Sequence, residues 1–406
     1  MHVTSTSIAL TLAISASPAS PVYAQQTSTP ITCNQPSREP IVHLPIDGHP
    51  FDVITSRDGC WVFVSVIRDS GVNGVTVFRR MGGEIKRVGL ARIDGAALGM
   101  VLTRDEKTLV VAGGTQVAFV DVAKLTSGQD VADVSYLSGT GFAGGIMVNV
   151  TSDDRYLFVS QELAAAITVI ELPQNRDGFS TSRVIGAIPT GRAPISLVFS
   201  ANQRYLFSTS QEAPKALGWP IDCRPQANRA AAPDHSNGAV VIIDVEHAKK
   251  DPSASVRGIV RAGCNPVRLA LSADGNSAYV TARGDDELLV FEMAKMLTNS
   301  ANALIARVPV GTAPVGVAVI DRGTKVVVTN SNRFAGGADD RQHLTVIDAG
   351  KITGGADAVL GTIPAGAFPR QMHVTADGRT LLVTNYASGT LQVIDVARLP
   401  VQSVAK

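Results

Sequence analysis

One unit of sequence recurs seven times in this chain of 406 residues, and the repetition constrains the fold more than any other feature. Each copy begins with a Gly-x-x-Pro-like turn, continues into an apolar stretch and reaches a turn of the Ser-x-Asp-Gly type. The seven starts read GHPFDVITSRDG, GAALGMVLTRDE, GGIMVNVTSDD, GRAPISLVFSANQ, GCNPVRLALSADG, GTAPVGVAVIDRG and GAFPRQMHVTADG. Such a period indicates that one supersecondary unit packs against copies of itself.

Each unit holds four short runs of β-forming residues. The second runs include YLFVSQ and KVVVTN, the third runs include ITVIEL and VVIIDV, and a fourth run such as RGIVRA leads into the next unit. Runs of about five to seven such residues between turns predict antiparallel strands. Because four-stranded units repeated at this period close radially, we predict an all-β fold, a seven-bladed β-propeller with four antiparallel strands per blade.

The last copy supplies only three strands before the chain ends. An isolated run, PIVHLPI at residues 40–46, precedes the first Gly-x-x-Pro turn and matches the fourth strand of the other units. A propeller must join its first and last blades or leave open edges. We therefore predict that the N-terminal strand at about 40–46 pairs with the C-terminal LQVIDV strand and closes the ring.

The second and third strands of several units carry a recognisable motif. YVTA (279–282), VVTN (327–330) and LVTN (382–385) stand in the second strands, and VID recurs in the third. These residues resemble the YVTN-type β-propeller repeat family over nearly the whole chain from residue 48 onward. The resemblance implies the seven-bladed fold that lactonases and cycloisomerases also use, but no single activity, because such propellers carry unrelated functions.

The N-terminal residues are typical of a secretion signal. MHVTSTSIALTLAISASPASPVYAQQ contains an uncharged apolar stretch followed by Val-Tyr-Ala, a pattern that signal peptidase recognises. We predict a signal peptide (1–24), an N-terminal segment (25–39), one propeller domain (40–399) and a C-terminal tail (400–406). No later run reaches the ~20 apolar residues of a membrane span. We expect a soluble protein that is periplasmic or secreted.

Four cysteines, Cys33, Cys60, Cys223 and Cys264, lack the C-x-x-C spacing of zinc and redox sites. In an exported protein they indicate two disulfides, and the sequence alone permits three pairings. In the predicted propeller, Cys223 lies in a loop between strands two and three, and Cys264 lies in the next blade connection on the same face. The other two cysteines lie on the opposite face, which predicts the pairs Cys33–Cys60 and Cys223–Cys264.

The charges nearly cancel, with 36 Lys and Arg against 35 Asp and Glu. Because no basic run accompanies them, the sequence does not imply a nucleic-acid partner. Motifs for haem attachment, zinc proteases and phosphate loops are lacking, so we expect neither a cofactor nor a metal. We expect a monomer whose partner is a protein or a small anionic ligand on the channel face.

Acids in the turns and after the third strands recur in most units, and we interpret them as turn and cap groups. Candidate site residues are instead those that depart from the repeat on the first strands, which line the central channel. They are Asp52, Asn149, Ser196, Arg268, Arg370, Gln371 and His373. Arginines facing one channel could bind a carboxylate or phosphate, and a histidine could move a proton.

A structural interpretation competes with this site. In it, Asp52 and Arg370 form an ion pair between neighbouring blades and His373 is packed and hydrogen-bonded, because charges at a channel are rarely left unpaired. The loops between strands two and three reach the same face and add further candidates: Gln161, Glu162, Gln211, Glu212, Arg283, Asn332, Arg333 and Tyr386. Two of these loops, 212–238 and 331–343, are long, which is typical of functional or disordered segments.

Two functions are compatible with these patterns. The first is a scaffold that binds a protein or a ligand through its loop-rich channel face. The second, implied by the resemblance to lactonases and cycloisomerases, is an enzyme in which His373 is the acid/base, Arg268 and Arg370 hold the substrate carboxylate, and Glu212 assists. A calcium-dependent site is not expected, because Asp52 is the only carboxylate on a channel strand. A redox propeller is disfavoured, since the sequence has no haem-attachment motif.

Overall fold

Short antiparallel strands account for most of the computed structural model, which describes residues 1, 33, 35–139, 141–173, 178–334 and 342–403. In this part of the chain, 29 strands form seven sheets. Each sheet has four strand positions, and the innermost strand of the fourth sheet is split into two short pieces. The prediction of a seven-bladed propeller with four antiparallel strands per blade is confirmed. The predicted signal peptide lies outside the described residues.

Strands are numbered β1–β29 along the chain, and blades are numbered by their innermost strands. Blade one contains β2 (His49–Thr55), β3 (Trp61–Ile67), β4 (Gly74–Met81) and β5 (Glu84–Arg92). Blade two contains β6 (Met100–Leu102), β7 (Thr108–Ala112), β8 (Gln116–Asp121) and β9 (Ser135–Ser138). Blade three contains β10 (Gly145–Val150), β11 (Tyr156–Gln161), β12 (Ala166–Glu171) and β13 (Arg183–Pro189). Blade four contains β14 (Arg192–Pro194), β15 (Val198–Phe199), β16 (Tyr205–Glu212), β17 (Ala239–Asp244) and β18 (Val256–Arg261).

The remaining blades follow the same order. Blade five contains β19 (Pro266–Leu271), β20 (Ser277–Ala282), β21 (Glu287–Glu292) and β22 (Leu304–Pro309). Blade six contains β23 (Pro314–Ile320), β24 (Lys325–Asn330), β25 (His343–Asp348) and β26 (Val359–Pro364). Blade seven contains β27 (Pro369–Val374), β28 (Thr380–Asn385), β29 (Thr390–Asp395) and β1 (Ile41–Pro45).

Helices in the described residues are short and follow strand ends. The α-helices are α1 (Val122–Leu125), α2 (Val245–Ala248) and α3 (Met293–Thr298), and the 3₁₀ helices are Phe179–Thr181, Lys215–Leu217, Pro252–Ala254, Ser300–Asn302, Asp321–Gly323, Ala349–Ala358 and Val396–Arg398. The acid that ends a third strand caps several of them: the Asp121 side chain accepts the backbone N–H of Lys124, and that of Asp244 accepts the N–H of His247. These acids stabilise the first turn, as expected for cap groups.

The ring closes between the two ends of the described chain. Strand β1 pairs with β29 as the outermost strand of blade seven, with Ile41 opposite Ile394 and Pro45 opposite Thr390. Apolar side chains from blades seven and one pack beside this junction: Leu44, Val64, Phe78, Leu382 and Leu391. The predicted closure by an N-terminal strand is therefore confirmed. Burial of each such side chain contributes about 1.5–3 kcal/mol.

A ring of hydroxyl bridges joins the blades near the channel. In blade five, the backbone N–H of Arg268 donates to Oγ1 of Thr281 (3.0 Å), and this hydroxyl donates to the carbonyl of Val315 in blade six (2.9 Å). The register of β19 against β20 shifts here, which takes the N–H out of the regular ladder. Equivalent bridges in six blades use Ser65, Ser160, Thr209, Thr281, Thr329 and Thr384.

Blade two makes the same connection without a hydroxyl. Ala112 occupies the equivalent position, and the backbone N–H of Gly99 donates directly to the carbonyl of Ile146 in blade three (2.9 Å). A Cβ at Gly99 would lie 2.7 Å from that carbonyl oxygen and 2.4 Å from the sulfur of Met147, so only glycine permits this approach. The Thr of the YVTN motif is thus a connector between blades.

Both predicted disulfides are present. Cys33 bonds to Cys60, and Cys223 bonds to Cys264. The first ties the segment before β1 to the turn between β2 and β3, and the second ties the long loop of blade four to the connection between blades four and five. Each crosslink restricts the unfolded chain and contributes about 2–4 kcal/mol in the entropic model.

Candidate functional site

The channel residues of the first strands fall into two groups, those whose polar atoms have partners and those whose polar atoms lack them. The first strands of neighbouring blades contact one another around the axis. We call the side that carries the blade connections and the loops between second and third strands the loop face. Each first strand starts at the loop face and runs towards the opposite face.

Asp52 belongs to the group with partners. Its carboxylate accepts the backbone N–H of Val53 (2.8 Å) and the N–H of Met100 in blade two (2.8 Å), and the residue is 1 % exposed. Burial raises the pKa of the Asp52 carboxyl, while the two N–H donors and the positive charges of Arg268 and Arg370 act in the opposite direction. The side chain thus connects the first strands of blades one and two.

The predicted ion pair between Asp52 and Arg370 is wrong. No ion pair of the described residues within 4.0 Å joins these side chains. The Asp52 oxygens are occupied by backbone donors, and the Arg370 guanidinium lies over the ring of Phe51, with its central carbon 3.8 Å from the ring centroid. An aromatic face thereby replaces the carboxylate as the main partner of Arg370.

Arg268 has the least satisfied polar side chain of the channel. The residue is only 4 % exposed, and Nε, Nη1 and Nη2 have no hydrogen-bond partner among the residues that the structure describes. Burial lowers the pKa of Arg268, against the attraction of Asp52 and Glu162. A guanidinium keeps its charge under almost all conditions and presents five N–H donors. Arg268 therefore offers a complete, unoccupied hydrogen-bonding fork inside the channel.

Arg370 lies close to this fork and is also incompletely paired. Its Nε has no partner in the described part of the chain, and its guanidinium lies 5.7 Å from the ring centroid of Phe368 and 5.8 Å from that of Tyr386. Burial, together with repulsion from neighbouring arginines, Arg268 foremost, lowers the pKa of Arg370 to about 9. The mutual repulsion indicates that these two positive charges share one small region.

Two further arginines extend this region towards the loop face. Arg283 follows β20 and Arg333 follows β24, and both guanidinium groups lie over the ring of Phe334, at 5.7 and 5.0 Å. Arg283 is 8 % exposed, its Nε has no partner among the described residues, and its Nη2 donates to Oε1 of Gln211. Burial, and after it the positive charge of Arg333, lowers the pKa of Arg283 to about 9.

The ring of Phe368 connects Arg333 to Arg370, at 5.0 and 5.7 Å from the two guanidinium groups. We call Arg268, Arg283, Arg333 and Arg370 the arginine cluster. Arg333 is its exposed member, and burial of its guanidinium among the rings lowers the pKa of Arg333. Aromatic faces hold three of the four cations in place without neutralising them.

Two carboxylates act on the arginine cluster. Glu162, in the loop after β11, attracts Arg268, Arg283 and Arg333, and Asp52 attracts Arg268 and Arg370. Neither acid forms an ion pair with the cluster within 4.0 Å among the described residues. Among the described residues, the four arginines exceed these two carboxylates by two charges, 4 − 2 = 2. The region therefore carries the charge pattern of an anion site.

Apolar side chains surround the cluster and keep its dielectric constant low. They come mainly from the start of the first strands and are Met147, Ile195, Val267, Val315, Phe368 and Tyr386. In such surroundings hydrogen bonds between charged groups are stronger than in water, and an unpaired charge is correspondingly unfavourable. We call these six residues the apolar collar. An anion bound inside the apolar collar would exchange its water molecules for several N–H donors that are already oriented.

His373 lies deeper in the channel than Arg370. They are three positions apart on β27, which corresponds to roughly 10 Å along an extended strand. Its Nε2 is 3.0 Å from Oγ1 of Thr55, at the far end of β2, and burial lowers the pKa of His373 to about 4. The structure thus places this side chain beside Thr55 and away from the loop face.

The other predicted channel residues have structural partners. Asn149 donates to the carbonyl of Leu197 in blade four (2.9 Å), and Oγ of Ser196 accepts the backbone N–H of Leu269 in blade five (3.2 Å). The backbone N–H of Gln371 donates to Thr384 as part of the hydroxyl ring. The contacts of Asn149 and Ser196 connect neighbouring blades, as the Asp52 contact with Met100 does, whereas the Gln371 bond lies within blade seven.

Glu212 lies at the end of β16, outside the arginine cluster. Its carboxylate forms an ion pair with Arg192 (2.8 Å), the residue opposite it on β14. The predicted helper residue and the predicted acid/base, His373, therefore lie in different parts of the molecule. The described residues contain no group of three or more His, Cys, Asp or Glu side chains that could hold a metal ion.

Sequence reasoning named the arginines of the cluster but missed the aromatic residues that position them. Phe51 and Phe368 flank the Pro positions of blades one and seven, and Phe334 stands in the long loop of blade six. In a chain with only 5 % aromatic residues, three phenylalanines beside candidate arginines are a usable signal. The hydroxyl ring was also missed, although Ser or Thr recurs in register in six second strands.

Comparison with known proteins agrees with this fold. A family model described as Lactonase, 7-bladed beta-propeller, matches residues 221–399. This range contains all four members of the arginine cluster. No curated protein matches the sequence, and no helix among the described residues is long and apolar enough to cross a membrane.

Solved structures resemble the chain over most of its length. Hydrazine synthase from Kuenenia stuttgartiensis is 18 % identical, with a TM-score of 0.64 and coverage of 92 % of this chain and 99 % of that one. A putative 6-phosphogluconolactonase from Bacteroides fragilis is 13 % identical, with a TM-score of 0.62 and coverage of 85 % and 94 %. The β-propeller domain of Cps50 (Swd1) from Myceliophteria thermophila is 11 % identical, with a TM-score of 0.60 and coverage of 87 % and 100 %.

At these identities the solved structures show a common fold and nothing about the ligand. The chain shares that fold with proteins named for unrelated activities, among them a hydrazine synthase and a putative 6-phosphogluconolactonase. The seven blades and the repeat motif agree with the lactonase model, and over residues 221–399 this chain resembles the lactonase family of seven-bladed β-propellers.

Proposed function

We propose that this protein binds a small anionic ligand, a carboxylate or a phosphate, at the arginine cluster. The observation that carries the proposal is the side chain of Arg268, which is 4 % exposed and whose guanidinium nitrogens have no partner within the described part of the chain. A buried charge without hydrogen bonds is strongly unfavourable, and its presence is explained if a ligand supplies the missing acceptors.

The composition of the cluster supports an anion with more than one negative charge. The surplus of two positive charges would be neutralised by a dianion. The planar guanidinium groups match the paired oxygens of carboxylates and phosphates, which they bind in a bidentate manner. The apolar collar around the cluster adds strength to each such bond.

Inorganic phosphate and citrate are suitable probes. Isothermal titration calorimetry should detect binding of at least one of them, and thermal unfolding should shift upwards, because a ligand at 100 times its Kd adds about 2.7 kcal/mol to the free energy of unfolding. The variants Arg268→Gln and Arg370→Gln should lose both effects. Arg379→Gln is the matched control, since Arg379 is an exposed arginine in a turn of the opposite face.

The proposal fails if neither anion binds, or if the Arg268 and Arg370 variants bind as tightly as the unchanged protein. Equal losses in the Arg379 variant would also contradict it, because they would indicate nonspecific charge attraction. Titrations at low and physiological ionic strength separate these cases, since exposed charges are screened much more than buried ones.

A second candidate is hydrolysis or isomerisation of a small acidic lactone, which the matching lactonase model favours. The arginine cluster would hold the acidic group, and Glu162 is the partly exposed carboxylate at the cluster that could accept a proton. Assays with gluconolactone and 6-phosphogluconolactone should then show turnover that Glu162→Gln removes. Turnover that persists in Glu162→Gln but not in His373→Ala would restore His373 as the acid/base.

We also propose that the protein works outside the reducing cytoplasm, in the periplasm or as a secreted protein. The two disulfides support this location, because such bonds persist in oxidising compartments. N-terminal sequencing of protein from the periplasmic and culture-medium fractions of an expressing bacterium should find a mature chain that begins after Ala24. A chain retained in the cytoplasm with residue 1 intact would contradict the proposal.

A further inference from the structure

A large cavity lies beside the arginine cluster, on the loop face of blade four. Its volume is about 980 Å³, at the upper end of the about 300–1,000 Å³ that is usual for ligand pockets. The long loop after β16 forms one wall. Lining residues that matter for the argument are Gln211, Trp219, Ile221, Gln226, Arg283 and Phe334.

The wall of this cavity is firmly attached to the propeller. Cys223 is fully buried and bonds to Cys264, and its backbone pairs with that of His235 across the loop. Arg229 makes a bidentate ion pair with Asp286 in the next blade. A segment of this length without strands would lose much conformational entropy on ordering. These attachments therefore hold the loop in one position as the wall of the cavity.

The cavity opens onto the arginine cluster through shared residues. Arg283 and Phe334 line the cavity and also belong to the arginine and aromatic arrangement at the channel. Arg283 is 8 % exposed and its Nε has no partner. A ligand with an acidic group at Arg283 would thus extend its remaining part under the loop.

An unpaired amide marks the interior of this cavity. Both Nε2 and Oε1 of Gln226 are buried, and neither has a hydrogen-bond partner in the described residues. A glutamine side chain presents a donor and an acceptor side by side, and the group with the complementary pair is another amide. Trp219 and Ile221 add apolar surface, which suits the side chains of a peptide more than the hydroxyl groups of a sugar.

We propose that the cavity binds a short acidic peptide, with a carboxylate on Arg283 and a backbone amide on Gln226. This inference rests on the proposed function, because the carboxylate uses the arginine cluster. The volume excludes a simple carboxylic acid as a well-fitting occupant and accommodates several amino-acid residues. Capture of a terminal carboxylate is a known mode of peptide recognition.

The test uses Trp219 as a reporter. The chain contains two tryptophans, so Trp61→Phe leaves Trp219 as the only one. N-acetyl-Ala-Ala-Glu with a free carboxyl end, its C-terminal carboxamide, acetate and citrate are titrated by fluorescence and calorimetry. The free peptide should bind at least ~10-fold more tightly than acetate and change the Trp219 emission, because it gains amide hydrogen bonds and apolar contact.

The variants separate the cavity from the cluster. Gln226→Ala should lose the advantage of the peptide over acetate while the affinity for citrate stays unchanged. Gln129→Ala is the matched control, an exposed glutamine outside the cavity. Circular dichroism and the citrate affinity verify folding of Gln226→Ala, and Ile221→Ser provides an independent change of the cavity if that variant does not fold.

Each outcome has one reading. If neither citrate nor phosphate binds at all, the proposed function itself fails. If citrate binds but the peptide binds no better than acetate, the peptide proposal is wrong and the anion site stands. Tighter binding of a uronic acid disaccharide than of the peptide would also overturn it, in favour of a carbohydrate.

Discussion

Two groups of residues on the same channel strands treat buried polar groups in opposite ways. The carboxylate of Asp52 and the hydroxyl of Ser196 each accept a backbone N–H of a neighbouring blade. At the arginine cluster, Arg268 and Arg370 carry guanidinium nitrogens that bond to nothing among the described residues. Asp52, Ser196 and Arg268 hold equivalent positions on their first strands, so the fold does not impose the difference.

The contrast teaches which polar residues of a repeat protein to treat as structural. A side chain that satisfies the backbone of the next blade stabilises the ring and gives no sign of a ligand. A buried guanidinium that is held by aromatic faces and left unbonded destabilises the free protein, and a protein keeps such a group where a ligand uses it. The two groups of residues should therefore respond in opposite directions to substitution.

The largest effect is expected for Arg268→Met. Affinity for a bound anion such as citrate should fall by about 100-fold, because losing a buried charged hydrogen bond costs about 2–5 kcal/mol. The free energy of unfolding of the ligand-free protein should rise by about 1–3 kcal/mol, since an unpaired buried charge is removed. Calorimetry and urea unfolding measure the two quantities. A destabilised, ligand-free Arg268→Met protein would show that Arg268 is structural.

Asp52→Ala should have the opposite effect on stability. Removal of the carboxylate leaves the backbone N–H groups of Val53 and Met100 buried without acceptors, which costs about 2–3 kcal/mol. Asp52→Asn keeps one acceptor oxygen and should lose less. Urea unfolding without ligand measures both variants, and an unchanged midpoint for Asp52→Ala would remove the distinction between the two groups of residues.

A smaller loss is expected from Thr281→Val, which removes one bridge of the hydroxyl ring. The N–H of Arg268 and the carbonyl of Val315 then lose their common partner, at a cost of about 1–2 kcal/mol. Thr281→Ser retains the hydroxyl and serves as the control. Equal thermal midpoints for the Val and Ser variants would indicate that the bridge contributes nothing to stability.

The smallest effect concerns the pH dependence of stability. The folded pKa of His373 is lowered to about 4, so between pH 6.5 and 4 the unfolded chain binds a proton that the folded protein does not. The contribution of His373 to the free energy of unfolding is fully present above pH 6.5. It falls as the pH drops, by about 1 kcal/mol between pH 6.5 and 5.5. The difference between the protein and His373→Gln, followed by urea unfolding, isolates this contribution. A constant difference would contradict it.

The sequence was sufficient for the features that follow from counting strands. The closing strand, the blade number and both cysteine pairs depend only on the order of strands and on which loops share a face. The repeat also identified the turn acids correctly: Thr375 donates to Asp377, as Ser56 does to Asp58. Local pattern and fold agree at these positions.

The interaction partners of the charged channel residues could not be predicted from the repeat in the same way. Asp52 finds its partner in Met100, 48 residues later in the sequence and in another blade, because the two first strands approach closely at the axis. Arg370 is held by Phe51, which lies at the other end of the chain. Such partners depend on side-chain direction across blade junctions, which a repeat pattern does not encode.

The closing strand has a consequence for how the molecule is made. β1 is synthesised first, but its partner β29 is among the last strands to leave the ribosome, and Ile41 and Ile394 are 353 residues apart (394 − 41). Throughout synthesis β1 is an edge without a neighbour, and unpaired strand edges promote aggregation. Until the seventh blade emerges, the growing chain stays monomeric only if a chaperone covers β1 or if encounters with other chains are slow.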